Sequence, residues 1–332
     1  MPKENKKNAN ASGATATNAH KNSARENRAP NAKNSASQNS ASQNSANKNT
    51  AQKNSIDKNS ASTRIHRRID LGLNIDHIAT LRQARQIHQP DPLEAVFIAK
   101  NCQVEQITIH LREDRRHIHE IDVARIIASS PLPVNVECAC DLSKGGVVDI
   151  LCDLKPFKVT LVPEKRQEIT TEGGLDMRAK NLESTIARFK SRQIQVATFI
   201  DPSAEAIKRS KELGADGIEL HTGAYANLHA MLYSCLPHSH NAPKELQLPR
   251  DTLHQKLLES IAMLERAASY AESLELGVYA GHGLNYENIA PIAQIAPITE
   301  LNIGHSIIAR AVITGLERAI KDMQDVIAHA IW

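Results

Sequence analysis

Short apolar runs alternate with longer amphipathic stretches over most of the chain. This alternation is typical of repeated strand–helix units. The number of units and the length of the stretch match a TIM (β/α)8 barrel, which typically has about 250 residues. The first predicted strand runs into NIDHIATLRQAR without a Gly-x-Gly-x-x-Gly turn, so a doubly wound nucleotide-binding sheet is the weaker alternative. The eight predicted strands are 71–76, 106–111, 133–138, 158–163, 195–201, 217–223, 277–283 and 300–305.

Residue types that begin and end helices support the same interpretation. Asp91 followed by Pro92 predicts a helix start, because Asp caps the first N–H groups and Pro suits the first helical position. A second helix is predicted from Ser203 to Gly214, and a third amphipathic helix is predicted to end at Gly277. Glycine is favoured just beyond a helix end because it tolerates positive φ.

Composition separates the chain into two unlike parts. Residues 1–60 contain 14 Asn, 12 Ala and 9 Ser, and a unit such as NSASQ recurs every five residues. Ten Lys and Arg against three Asp and Glu give this part a charge of +7, which leaves −4 of the total +3 for the remainder. Without apolar positions it cannot offset its ordering entropy, so we predict a disordered tail over 1–65. The catalytic domain is predicted over 69–332, with a loop insertion at 228–252.

Cysteine usage and hydropathy limit the class of protein. The five cysteines are an odd number without a Cys-x-x-Cys pair, which argues against a disulfide framework and for a reducing, cytoplasmic setting. No stretch of 18 apolar residues predicts a membrane span. The start of the chain has no apolar signal-peptide core, so no secretory signal is expected. The basic tail lacks aromatic residues that could stack on bases, so nucleic-acid binding is not expected.

Chemically capable side chains gather at the carboxyl ends of the predicted strands. In a TIM barrel these ends meet at one mouth, where active sites lie, so their agreement predicts an enzyme. The amino ends show no comparable enrichment. The residues at the carboxyl ends are Asn74, Asp76, His77, His110, Arg112, Glu137, Glu164, Lys165, Arg166, Asp201, Glu219, His221, Thr222, His282 and His305.

Several segments at this end are suited to anions. Glycines flank His282 and precede His305, after the seventh and eighth strands, where many barrels bind phosphate. An arginine-rich run, 112–117, begins at the second strand and is a candidate for a second phosphate. The segment 163–174 has glycines and threonines, which predicts a closing loop.

Two groups of residues could bind a metal ion, and for both groups metal binding is the weaker alternative. His110, Glu137, His221 and His282 could gather around zinc, but they supply only one His per strand, and acid–base use of histidine near neutral pH is simpler. Cys235, His238 and His240 form a Cys-x2-His-x-His cluster in a Pro-containing loop, which is a weak zinc signal. No metal is therefore expected.

Six segments resemble one enzyme family, the pyridoxine 5'-phosphate synthases of the deoxyxylulose-dependent route to vitamin B6. The resemblance runs from about residue 71 to the C-terminus and excludes the tail and 228–252. The segments are NIDHIATLRQAR, ITIHLREDRRHI, LVPEKRQEITTEGGLD, IELHTGAYA, AGHGLNYENI and LNIGHSIIARA.

The resemblance implies a condensation of 3-amino-2-oxopropyl phosphate with 1-deoxy-D-xylulose 5-phosphate to pyridoxine 5'-phosphate, phosphate and water. It implies His110 and Glu137 as general bases, His282 as general acid and Glu219 as a transition-state stabiliser. No cofactor is expected, because one substrate's amine can form the Schiff base with the other's ketone. The implied aminooxopropyl phosphate site holds Asn74, Arg85, Gly283, Gly304 and His305. The implied deoxyxylulose phosphate site holds Asp76, His77, Arg112, His117 and Thr170.

The resemblance also implies a homo-oligomer, which is an octamer in the family, in the cytoplasm. Two other functions stay open at this point. A different barrel enzyme on phosphorylated substrates, such as an aldolase or isomerase, would use Lys165 for a covalent adduct. A non-catalytic protein that binds phosphorylated ligands or RNA would depend on the basic tail.

Overall fold

Eight parallel strands pair in chain order, and the eighth pairs with the first, so the sheet closes into a barrel. This confirms the TIM barrel and excludes the doubly wound sheet. The computed structural model describes residues 67–164 and 173–331. The predicted tail, Lys165 and Thr170 lie outside these residues. The strands are β1 (Asp70–Asn74), β2 (Gln106–His110), β3 (Val134–Cys138), β4 (Lys158–Leu161), β5 (Gln195–Ile200), β6 (Gly217–His221), β7 (Gly277–Gly281) and β8 (Glu300–Ile303).

Helices follow the strands and cover the outside of the barrel. Six buried residues of the longest helix, including Leu257 and Leu264, belong to the same apolar cluster as the outward-facing residues of the strands. The helices are α1 (Asp76–Arg85), α2 (Pro92–Asn101), α3 (Glu120–Ser129), α4 (Val147–Leu154), α5 (Leu182–Ser191), α6 (Ala204–Glu212), α7 (Gly223–Tyr233), α8 (Arg250–Ser273), α9 (Ile289–Ala293), α10 (His305–Thr314) and α11 (Leu316–Ala330).

Two predicted helix starts are confirmed, and one predicted helix end is wrong. Asp91 accepts a hydrogen bond from the N–H of Leu93 at 3.0 Å, and Ser203 caps α6 in the same way. Gly214 takes positive φ just after α6. Helix α8, however, ends at Ser273 rather than at Gly277, because the chain takes positive φ at Glu275 and Gly277 already begins β7.

The irregular segment after α7 is shorter than predicted. Helix α7 continues to Tyr233 because Leu228, Met231 and Leu232 are buried in the apolar core. Two single 3-10 turns, Leu236–His238 and Lys244–Leu246, then lead to α8. The side chain of Arg250 ties the two helices together by donating to the carbonyl of Leu232 at 3.0 Å.

The barrel interior is polar, which the strand pattern did not predict. Side chains alternate along a strand, so Gln106, Thr108 and His110 of β2 face inward while Ile107 and Ile109 pack against the helices. Gln106 donates to Glu300 at 3.0 Å, and Lys158 contacts the same carboxylate at 2.7 and 2.8 Å. Charged groups therefore also lie inside the barrel at the amino ends of two strands, since Lys158 begins β4 and Glu300 begins β8.

All five cysteines are free thiols. Among residues 67–164 and 173–331, no helix is both long and apolar enough to cross a bilayer.

Candidate active site

His110 and Glu137 lie side by side at the mouth of the barrel. They are register partners at the carboxyl ends of β2 and β3, and His110 Nδ1 is 3.5 Å from a carboxylate oxygen of Glu137. On the other side of the ring, Nε2 is 2.8 Å from Oε1 of Glu164, which follows β4. The imidazole is therefore held between two carboxyl groups. Sequence reasoning placed Glu164 at the mouth but left it out of the site.

The backbone of His110 is fixed by the first strand. Asp76 Oδ1 accepts the backbone N–H of His110 at 2.8 Å. Asn74 and Asp76 hold each other by two hydrogen bonds of 2.9 Å, one from the amide side chain of Asn74 and one from the backbone N–H of Asp76. This clip joins the start of α1 to the end of β2, so it keeps His110 in register with Glu137.

Burial changes the proton affinity of Glu137. Burial raises the pKa of Glu137 well above its usual range, and the neighbouring carboxylates of Glu219 and Asp76 raise it further. The hydrogen bond from Asn74 opposes this effect without overcoming it. The pKa of Glu137 is therefore shifted upward, which is the direction expected for a carboxyl group that exchanges protons near neutral pH.

Glu219 reaches the site from β6 and is tied to the interior network. Asn302 donates from one amide nitrogen to Glu219 Oε2 at 2.9 Å and to Glu300 Oε1 at 3.0 Å. Burial and, to a smaller extent, the charge of Glu300 raise the pKa of Glu219 to about 8, and Lys158 and the hydrogen bond from Asn302 oppose this shift. With a pKa of about 8, Glu219 carries a proton at pH 7.

His282 follows β7 in a conformation that is unusual for a residue with a side chain. Its φ is +78°, and the hydroxyl of Thr222 lies 2.6 Å from its carbonyl oxygen. The ring packs edge to face on His221, with centroids 5.0 Å apart, and His221 Nδ1 is 3.0 Å from Asp201. Burial and, to a smaller extent, the neighbouring His221 lower the pKa of His282 to about 4. The imidazole is neutral at pH 7.

Two glycines, one after β7 and one after β8, lie where the neighbouring atoms leave no room for a side chain. Gly283 has φ of +78°, and a Cβ there would lie 2.6 Å from that of Ala226. Gly304 caps α10, and a Cβ there would lie 2.9 Å from Cβ of Asn74. The N-terminus of this ten-residue helix, next to the clip, is suited to an anion because its first N–H groups are unpaired within the helix.

His77 and His305 meet at the same place. Their rings lie edge to face with centroids 4.9 Å apart. Burial lowers the pKa of His77, and His305 lowers it further. His77 Nδ1 is buried and has no hydrogen-bond partner within the part of the chain that the structure describes. The pair places two imidazole rings at the start of α10.

Arg112 and His117 belong to the segment that follows β2, near the His110 ring. Arg112 is buried and its Nε is 3.2 Å from Asp114, while the rings of His117 and His110 are 6.1 Å apart. Burial lowers the pKa of His117. The expected arginine at the mouth is therefore present, and its charge is partly neutralised by Asp114.

Two predicted site residues are not placed with this group. Arg85 is exposed in the last turn of α1, and a helix of ten residues carries it about 14 Å along the axis from Asp76. Thr170 lies outside the described residues. Cys235, His238 and His240 are exposed, and residues 67–164 and 173–331 contain no group of three or more Cys, His, Asp or Glu side chains arranged to hold a metal.

Comparison with known proteins identifies a family. The profile of the pyridoxal phosphate biosynthesis protein PdxJ matches residues 71–329. The pyridoxine 5'-phosphate synthase of Wolinella succinogenes is 56% identical over 261 residues, which is 78% of this chain and 98% of that protein. The enzyme of the same name from Helicobacter hepaticus is 56% identical over 263 residues, covering 77% of this chain and 97% of that protein. The chain belongs to the PdxJ family.

Proposed function

We propose that the chain is a pyridoxine 5'-phosphate synthase, which condenses 3-amino-2-oxopropyl phosphate with 1-deoxy-D-xylulose 5-phosphate. The observation that carries the proposal is the His110 imidazole between Glu137 and Glu164, in a barrel whose relatives carry that name. The substrates supply both the amine and the ketone of the Schiff base, so what the protein must supply is proton transfer and phosphate binding. The groups at the mouth of the barrel are suited to transfer protons or to bind phosphate.

The proton transfers are assigned to groups whose pKa is shifted or that lie beside another titratable group. His110 and Glu137 would take protons from the condensing substrates, and Glu219 would stabilise developing charge with its own proton. His282 would donate a proton to a leaving group. Because its ring is neutral in the unliganded protein, this role requires a bound phosphate anion nearby that favours the imidazolium form.

The two phosphates are assigned to two sides of the mouth. The Gly283 and Gly304 turns with His305, beside Asn74, suit the phosphate of the three-carbon substrate. Arg112, with Asp76, His77 and His117, suits the five-carbon substrate, since a buried guanidinium can bind phosphate bidentately. Arg85 and Thr170 are proposed for these sites on the resemblance alone.

We also propose that copies of the chain associate, as the octamer of the family implies, and that the protein works in the cytoplasm. Apolar side chains are exposed on α1 and on the two helices that it packs against, α2 and α10, and Ile313 is 85% exposed. An exposed apolar group of this kind is typical of a protein interface. The five free thiols fit a reducing compartment.

The test is formation of pyridoxine 5'-phosphate from the two substrates by the purified protein. We expect Glu137→Gln and His110→Ala to lower turnover by about 10²-fold or more. Glu245→Gln and His240→Ala, which change the same residue types in the segment after α7, are the matched controls and keep turnover. Full turnover in the His110 or Glu137 variant would contradict the proposed roles. A borohydride-trapped adduct on Lys165 would favour an aldolase instead.

A further inference from the structure

Glu164 has a buried carboxylate group, and each of its two oxygens has a hydrogen-bond partner near the site. Oε1 is 2.8 Å from His110 Nε2, and Oε2 accepts the backbone N–H of Glu113 at 2.9 Å. Only 4% of its side chain is exposed. Side chains of this kind are rarely buried unless they are paired, so this carboxylate is kept at the mouth by the groups it contacts.

The surroundings of Glu164 favour its ionised form. Burial by itself raises the pKa of Glu164, but the hydrogen bond and charge of His110, the N–H of Glu113 and the charge of Arg112 together outweigh it, and the net pKa lies below its usual range. An ionised carboxylate only accepts hydrogen bonds. The proton between Glu164 and the ring therefore belongs to His110 Nε2.

This arrangement leaves Nδ1 as the nitrogen with a lone pair. Nδ1 faces Glu137 across 3.5 Å, a distance longer than a hydrogen bond, so it is not committed to a close partner there. A neutral imidazole has one donor and one acceptor nitrogen, and the partner of one nitrogen sets the role of the other.

We propose that Glu164 is a positioning residue that holds His110 in the Nε2–H tautomer and stabilises its imidazolium form, so that Nδ1 is the basic nitrogen. This inference rests on the proposed function, because it assumes that His110 is a base in that reaction. When Nδ1 takes a proton from the substrate, the electron pair of the broken bond stays on the substrate. The ring gains one positive charge, which lies 2.8 Å from Glu164 Oε1. The proton returns from Nδ1 to a later intermediate.

The same contacts also allow a purely structural function for Glu164, in which it only anchors the chain after β4 to the backbone of Glu113. The two functions differ in what Glu164→Gln changes. A Gln amide has an oxygen at one end and an NH2 donor at the other, so it cannot accept from Nε2–H at one end and from the Glu113 N–H at the other, as Glu164 does. If the amide nitrogen donates to Nε2, the ring proton moves to Nδ1 and the basic nitrogen is lost.

The first experiment reads the tautomer without any turnover. The ¹⁵N shifts of His110 are measured in the full-length protein at neutral pH, with His110→Ala used to assign the signal. We expect the Nε2–H form in the native protein and the Nδ1–H form in Glu164→Gln. An Nδ1–H form in the native protein overturns the inference, whether or not any variant folds.

The second experiment is kinetic. We expect Glu164→Gln to lower kcat on the order of 10²-fold with KM for both substrates changed less than about threefold, because the carboxylate acts on a proton-transfer step. Glu164→Asp keeps the charge and is expected to recover part of kcat. Glu317→Gln removes an exposed carboxylate paired with Lys321 on α11 and is the matched control, with unchanged kcat.

The outcomes separate this inference from the proposed function. If the native protein makes pyridoxine 5'-phosphate and Glu164→Gln keeps its kcat, or raises KM alone, the positioning role is wrong and the function stands. If the native protein forms no product, the proposed function is wrong, and the tautomer measurement still decides the geometry. A Glu164→Gln protein that does not fold leaves the decision to the native tautomer and to the Glu164→Asp variant.

Discussion

Lys158 and Glu300 form a buried ion pair across the inside of the barrel, 142 residues apart in sequence and with Nζ 2.7 Å from Oε2. The ammonium also lies 4.0 Å from the ring centroid of Tyr279. Their side chains are 3% and 11% exposed. Because Asn302 bonds both Glu300 and Glu219, the pair connects the bottom of the barrel to the proposed catalytic end.

Removing one member of this pair is expected to destabilise the fold strongly. Lys158→Met leaves a buried carboxylate without its counter-charge, which costs about 3–5 kcal/mol in the free energy of unfolding. The double variant Lys158→Met/Glu300→Gln is expected to cost less than the sum of the two single changes. Urea unfolding at one fixed protein concentration measures all three. Lys321→Met, which breaks an exposed pair with Glu317, is expected to cost less than about 1 kcal/mol. An equal loss in the free energy of unfolding for Lys158→Met and Lys321→Met would contradict the importance of the buried pair.

Glu219 is expected to make the stability depend on pH. Its pKa of about 8 lies above the value in the unfolded chain, so the folded state binds the proton more tightly. The stabilising contribution is complete below the unfolded pKa and is lost as pH rises through about 8. Relative to Glu219→Gln, the native protein should therefore lose Tm between pH 5 and pH 9. A difference in Tm that is constant over this range would show that Glu219 titrates normally.

His282 is expected to stay neutral until the solution is strongly acidic. Burial and His221 place its pKa at about 4, so its ring signals in NMR should titrate near that pH in the unliganded protein. Addition of a phosphorylated substrate is expected to move the titration upward, because an anion beside the ring favours the imidazolium. The exposed His240 is the internal control and should not respond to the substrate. A midpoint for His282 that is the same with and without substrate would exclude the proposed acid role.

Gly304→Ala is expected to damage the site more than the fold. The new Cβ would lie 2.9 Å from Cβ and 3.0 Å from Cγ of Asn74, so the Asn74–Asp76 clip must shift. Because that clip holds the backbone of His110, kcat should fall and KM for 3-amino-2-oxopropyl phosphate should rise, each by about tenfold or more. Asn74→Ala is the comparison, since it removes the clip without adding a methyl group. Normal kinetics in Gly304→Ala would mean that the start of α10 does not bind substrate.

Ile313→Glu tests the proposed association of copies. A charge at this exposed position on α10 should weaken an apolar interface and leave the barrel intact. Light scattering after size exclusion is expected to show a smaller assembly, with far-UV circular dichroism unchanged. Leu248→Glu, in the segment before α8, is the control and is expected to leave the assembly size unchanged. If the native protein is already a monomer at micromolar concentration, the octamer is wrong.

The strand–helix alternation was enough to predict the barrel. Each strand pairs with its neighbour along the chain, and the local signals, such as Asp91 with Pro92, act within a few residues. The strand ends were predicted up to two residues too long on the carboxyl side. Asp76 and His305 begin helices rather than ending strands, because backbone pairing stops where the chain turns into the mouth.

The arrangement of the polar groups could not be obtained in the same way. His110 and Glu164 are 54 residues apart, Thr108 and Asn302 are 194 apart, and nothing in either local sequence specifies the other. Strands such as QITIH were assigned from their apolar residues, whose partners are the surrounding helices. The alternate positions point inward, and closure of the barrel brings them together across the axis, where burial alters the acidity of Glu137 and Glu219. The acidity of these groups therefore depends on which strands become neighbours in the barrel. Charge and desolvation act through space over a few ångströms and not along the chain.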